Sequence, residues 1–147
     1  MNIRFADRQD WNDWLRMSQA LWPDCPPDKR QQEMEHILLE AETQAILVCE
    51  SNEKKLIGFL EASLRDQAEG CETSPVGYIE GWYVDPEARR QGVGASLVAA
   101  AERWAVSKGC REMASDCLID NDVSLAAHLS LGYAEVERVI LFRKSLE

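Results

Sequence analysis

The sequence predicts an α/β (α+β) fold: a mixed central sheet of six to seven strands flanked by about four helices. Three observations carry this. Short apolar runs bounded by Gly, Pro and polar clusters recur along the chain and read as strands. The stretch from Gly92 to about Lys108 repeats apolar residues at helical spacing. That helix lies between two strand-like runs, so Gly77 to Ser115 forms a β-α-β unit whose strands should be parallel or nearly so.

Asn2 to Phe5 alternates apolar and polar and predicts the first strand. Asp10 can cap a helix running to about Trp22, with Trp11, Trp14, Leu15, Ser18, Leu21 and Trp22 at helical spacing. Pro23 ends it, and Pro26-Pro27 marks a loop. A second helix is expected from Asp28, with Met34, Ile37, Leu38 and Ala41 on one face. Ala45–Glu50 and Leu56–Leu64 flank the polar turn Ser51–Lys55 and predict a hairpin. Residues 65–75 are polar, carry Gly70 and Pro75, and are long enough to be a functional loop. Gly77–Val84 is the next strand, broken by Asp85-Pro86. Val93, Leu97, Val98, Ala101, Trp104 and Ala105 stripe the long helix, and Gly109 stops it. Glu112–Ser115 reads as a short strand, Asn121–Leu131 as a helix closed by Gly132, and Ala134–Lys144 as one or two terminal strands. There is no internal repeat and no low-complexity tract.

At 147 residues the chain fits one domain, 1–147, with an apolar fraction of 46% and a charged fraction of 29%. Sixteen basic against 26 acidic residues leave a net charge of −10, which argues against a general nucleic-acid binder. An acidic surface suits a polycationic small molecule and equally serves solubility. No apolar run reaches the ~20 residues of a membrane span, and the first residues carry charge rather than the apolar core of a secretory signal. Five cysteines without a C-x-x-C pair, and two distant histidines, argue against a metal site. Reduced thiols imply the cytoplasm, and Cys49 reads as a small buried hydrophobe.

The most informative segment is Arg89-Arg90-Gln91-Gly92-Val93-Gly94-Ala95, between a strand and a long helix. Amides at a helix start lack intrahelical partners and carry partial positive charge, so they attract a phosphate. Gly92 and Gly94 present no Cβ to block it, and the arginines add charge. The Walker lysine and the third glycine of the dinucleotide fingerprint are both missing, which removes those readings.

Arg-x-x-Gly-x-Gly, here Arg89, Gly92 and Gly94, resembles the acyl-CoA pyrophosphate loop of the GCN5-related N-acetyltransferases. Val84-Asp85-Pro86 and Leu131-Gly132-Tyr133 match that family in order and spacing, so the resemblance spans nearly the whole chain. Leu21-Trp22-Pro23, Ser74-Pro75-Val76, Ile79-Glu80-Gly81, Cys110-Arg111-Glu112-Met113-Ala114-Ser115-Asp116 and Glu137-Arg138-Val139-Ile140 look most like the aminoglycoside 6′-N-acetyltransferases. The resemblance implies a co-substrate, acetyl-CoA, no metal, and a polycationic aminoglycoside acetylated by direct attack in a ternary complex. It implies that the backbone of Trp82, Tyr83 and Val84 holds the pantetheine arm. Arg89 and the backbone of Arg90, Gln91, Gly92, Val93, Gly94 and Ala95 would hold the pyrophosphate, and Asn121 would lie near the thioester. Trp22, Glu80, Asp116 and Glu137 would contact the aminoglycoside. The family often forms homodimers, with Glu137 acting across a subunit boundary.

The residues support alternatives alongside. Glu80 interrupts an apolar strand, where an unpartnered buried charge is costly, so it is either exposed with an arginine partner or serves a ligand. Alternation puts it on the face of Tyr78, Trp82 and Val84. Asp116 follows a short strand, where open sheets bind ligands or where an Asx turn or cap would sit. Glu137 beside Arg138 reads equally as a surface ion pair, and Trp22 as a core anchor or a sugar platform. Glu80, with Asp116 second, is the expected proton acceptor, and an amide of Trp82–Val84 the oxyanion donor. Many relatives place a tyrosine four residues before the glycine of Leu-Gly-aromatic; here it is His128, a proton donor or a satisfied helix histidine. Cys117 has no base partner nearby and is not expected to act as a nucleophile. The other functions open to this sequence are transfer to another small amine or a peptide N-terminus, and a non-catalytic acyl-CoA sensor.

Overall fold

A computed structural model describes all 147 residues. The strands are β1 (Asn2–Phe5), β2 (Gln44–Glu50), β3 (Leu56–Arg65), β4 (Val76–Val84) and β5 (Met113–Ser115). The helices are α1 (Trp11–Leu21), α2 (Pro27–Leu39), α3 (Val93–Ser107) and α4 (Asp122–Ser130). One sheet has the order β1-β2-β3-β4-β5, antiparallel from β1 to β4, with β5 parallel to β4. The parallel pair is joined through α3, as the β-α-β pattern requires.

Alternation of β2 and β3 sends apolar side chains to both faces of the sheet. Ala45, Leu47, Cys49, Leu60 and Ala62 join Leu97, Val98, Ala101, Trp104 and Ala105 of α3 on one face. Ile46, Val48 and Phe59 meet Trp14 and Met17 of α1 and Met34 and Ile37 of α2 on the other. Burying each large apolar side chain contributes ~1.5–3 kcal/mol, which offsets the ordering of elements too short to persist alone.

Three expectations change. The sheet has five strands, not six to seven, because Ala134–Lys144 forms none. A strand needs a ladder partner, and alternation in the tail supplies an apolar stripe but no edge within its own chain. Asp10 stands at the N-cap position of α1 but does not cap it. Its carboxylate instead takes two hydrogen bonds of 2.8 Å from Arg4 and one of 2.9 Å from the Asp7 amide, the last closing a capping box on the preceding 3-10 turn. The second helix begins at Pro27, whose missing N–H is harmless in a first turn, and ends before Ala41.

The β3–β4 ladder carries an irregularity beside the sheet's parallel edge. Glu61 faces Gly81 while Ala62 faces Ile79, so Glu80 is an extra residue in a β-bulge. Ile79, Trp82 and Val84 consequently share the α3 face, whereas Tyr83 packs on the α1–α2 face. Glu80 therefore does not share a face with Trp82 and Val84, because the bulge breaks the period of two.

Candidate active site

β4 and β5 pair only over Gly77–Ile79 with Met113–Ser115. Beyond that point β4 continues through Val84 with no strand on that side, and the two diverge into a wedge. Trp82, Tyr83 and Val84 lie along its open edge, where an extended arm can add itself to the sheet. Asp116 and Asn121 follow β5. α3 begins beside the wedge: a Cβ on Gly94 would stand 3.2 Å from the Trp82 ring.

Each glycine of the helix-start turn has its own reason. Gly92 has φ +82°, a left-handed conformation, with open space around a would-be Cβ. Gly94 is instead a close approach to Trp82. Arg90 also has positive φ, 63°. No side chain caps α3, so its first amides stay available to an anion. The Arg89 guanidinium is partly committed to the turn itself, its Nε donating to the Val84 carbonyl at 2.9 Å, while Arg90, Gln91 and Ala95 are exposed and Val93 is buried. The Trp82 indole N–H is buried without a partner, facing the wedge's α3 side.

The carboxylates gather on the α1–α2 face. Glu80 accepts from Ser63 Oγ at 2.5 Å, from Arg65 Nε at 3.1 Å and from Arg65 Nη2 at 2.7 Å. The Arg65 guanidinium carbon lies 3.5 Å from the Tyr78 ring centroid, and the Tyr78 hydroxyl donates to Asp116 at 2.5 Å. Burial first, then Asp116, pushes the Tyr78 phenol above its usual range, so it stays a donor. Beside Glu80 a cavity of about 580 Å³ is lined by Trp22, Lys29, Arg30, Glu33, His36 and Glu61, among others. Trp22 is half-buried; a Cβ on Gly81 would overlap its ring, and the Arg30 guanidinium stacks 4.7 Å from its centroid. Arg30 in turn pairs with Glu61, which also accepts from Trp14 Nε1 at 2.8 Å. Burial pushes the Glu61 carboxyl up, while Arg30 and Trp14 oppose it.

Trp22, Glu80 and Asp116 are thus brought to one region through Tyr78 and Arg65. Glu137 is not: it lies exposed on the tail beyond Val136, which packs against Gly70. Asn121 caps α4, its Oδ1 accepting from the Ser124 amide at 3.1 Å, while its NH₂ has both donors free for a ligand. His128 Nδ1 lies 2.7 Å from the Ser124 carbonyl, which can only accept, so Nδ1 carries a proton, and Nε2 shares a hydrogen bond of 2.7 Å with Ser115 Oγ. Both ring nitrogens of His128 are thus engaged by its own neighbours. Ser63, Arg65, Tyr78, Arg30 and Glu61 were not among the residues the sequence singled out. Glu61 had the same signal as Glu80, a charge inside an apolar strand; the others had none.

Residues 9–133 match the family model described as Acetyltransferase (GNAT) family. The chain is 43% identical over 146 residues to the aminoglycoside N(6′)-acetyltransferase type 1 of Klebsiella aerogenes, covering 98% of this chain and 96% of that one. It is 42% identical to the enzyme of the same name from Acinetobacter haemolyticus, covering 100% of both. The fold superposes on the crystal structure of an aminoglycoside antibiotic 6′-N-acetyltransferase from Acinetobacter haemolyticus with TM-score 0.92 and 41% identity, over 100% of both chains. It matches AAC(6′)-Iy, solved with the bisubstrate analogue CoA-S-monomethyl-acetylneamine, with TM-score 0.92 and 39% identity, over 98% of this chain and 97% of that one. A wedge between parallel strands, an uncapped glycine-started helix at its mouth and a match over most of the sequence agree: this chain belongs to the acetyltransferase (GNAT) family.

Proposed function

We propose that this chain transfers the acetyl group of acetyl-CoA to the 6′-amino group of aminoglycosides, so conferring resistance to them. The observation that carries it is the meeting, where β4 leaves β5, of an open strand edge with the carboxylates Glu80 and Asp116. The names of the relatives, at about 40% identity over nearly full length, support the same substrate.

The residues fit acetyl-CoA. The uncapped amides from Arg90 to Ala95 suit a diphosphate, the free edge of Trp82–Val84 suits an extended amide-bearing arm, and the unpartnered Trp82 N–H is a donor awaiting an acceptor. Bound there, acetyl-CoA supplies a thioester carbonyl that an uncharged amine attacks, the C–N bond forming as the C–S bond breaks. An amide of the Trp82–Val84 edge polarises that carbonyl. Glu80, directly or through water, accepts the proton of the ammonium, with Asp116 as the second carboxylate. Trp22 offers an indole face to a sugar ring. Most of the acceleration comes from holding the two substrates together.

The protein works as a homodimer. Val139, Ile140, Leu141 and Phe142 are 62–90% exposed, and β5 is an edge strand of three residues, so the tail of one copy has an edge to join on another. Glu137 travels with that tail and reaches the amine site from the partner side. The reaction belongs in the cytoplasm, where the five free cysteines stay reduced.

Adding kanamycin or tobramycin to the protein with saturating acetyl-CoA will release free thiol. An acyl-CoA sensor would bind coenzyme A and release none, and an enzyme for another amine would respond only to that amine.

A further inference from the structure

We propose that Arg65 is an internal competitor for the substrate's ammonium: it stands on Glu80 where an amine must stand, and a substrate engages Glu80 only by displacing it. The proposal rests on the reading of Glu80 and Asp116 as the amine-binding carboxylates.

The geometry is that of a bound cation. Two guanidinium nitrogens of Arg65 reach the two oxygens of Glu80, at 2.7 and 3.1 Å, in the bidentate arrangement that carboxylates favour. The same guanidinium lies over the Tyr78 ring, whose hydroxyl holds Asp116, so one cation touches the link between both carboxylates. Ser63 donates to the same Glu80 oxygen as Arg65 Nε, which fixes the carboxylate when the guanidinium leaves. Arg65 is the last residue of β3, opposite Val76, so its side chain can swing into water without disturbing the ladder. Its side chain is 43% exposed and that of Glu80 33%, so the pair is strong enough to occupy the carboxylate and weak enough to be exchanged.

Competition has a signature distinct from charge repulsion. Displacing Arg65 costs the same whatever else the ligand carries. Long-range repulsion grows with the number of positive charges on the ligand. Arg65 thereby raises the KM of a lone amine and of a polycation by the same factor.

The test compares wild type with Arg65→Met and Arg65→Lys on kanamycin and on the single-amine fragment 6-amino-6-deoxyglucose. In Arg65→Met the KM for both amines should fall by the same factor, about two- to fivefold for an exchanged exposed ion pair. The acetyl-CoA KM should not move, and kcat should not drop. Arg65→Lys, which keeps the charge, should return both values toward wild type. A KM that rises or stays put overturns the proposal, as does a fall much larger for kanamycin than for the fragment. If Arg65→Met does not fold, Arg65→Gln carries the same readouts. Should wild type release no thiol with any amine, the proposed function fails separately. Calorimetric titration of kanamycin into wild type and variant then decides the competition: tighter binding in the variant upholds it, and equal or absent binding in both overturns it.

Discussion

The bulge at Glu80 puts this carboxylate and Trp82 on opposite faces of β4: Trp82 turns to the α3 face, while Glu80 reaches Ser63 and Arg65 beside Trp22. If it takes the amine's proton, Glu80→Gln lowers kcat by about 100-fold, within the range of general-base catalysis. Acetyl-CoA affinity, read by calorimetry, should stay within about twofold because the wedge edge is separate. Equal kcat in the variant from about pH 6 to 9 would remove Glu80 from that role. Gly92 makes a second prediction. At φ +82° with free space around it, alanine meets backbone strain and no clash, so Gly92→Ala should cost about 1 kcal/mol by thermal melting. It should also weaken acetyl-CoA binding as the first amides of α3 shift.

At the scale of elements, the wedge depends on what fixes its two sides. On the β5 side, Asn121 caps α4, and Asn121→Ala should destabilise by about 1 kcal/mol in denaturant melts, with a higher acetyl-CoA KM. The 66–75 loop is tied to the residue before β5, since Glu112 accepts from the Glu72 and Thr73 amides at 2.9 and 2.7 Å. On the far edge, Arg4 joins β1 to Asp10. The Arg4 hydrogen bonds hold the Asp10 carboxyl below its ordinary 3.8, and the Thr73 hydroxyl and amides hold Glu112 below its ordinary value. Both groups are depressed by folding, so their stabilisation is present above about pH 4 and is lost as pH falls through the lowered values. On the acid side these two groups make thermal melts drop below about pH 4. Asp10→Asn should melt lower at neutral pH and lose less on acidification. The helices and the hairpin were legible because period and punctuation are local. The bulge was not, because it is a property of a register between two strands.

At the scale of the molecule, the tail is the part the sheet does not absorb. Phe142 is 90% exposed and Leu141 88%, an apolar strip that solvent disfavours. Sedimentation should give a dimer, and deletion of residues 135–147 a monomer with the thiol-release activity lost. A monomeric full-length chain would refute the tail exchange.

The sequence by itself determined the order of elements as far as α4, the parallel β-α-β unit, the glycine turn at a helix start and the likeness to a family, since each depends on residues near one another in the chain. It also named Trp22, Glu80 and Asp116. The tertiary structure alone decided that Arg65 sits on Glu80, that Tyr78 holds Asp116, that His128 bonds Ser115 and Ser124, and that the tail adds no strand. Pairing partners are chosen by register and by side chains distant in sequence, and neither period nor composition encodes which charges will meet.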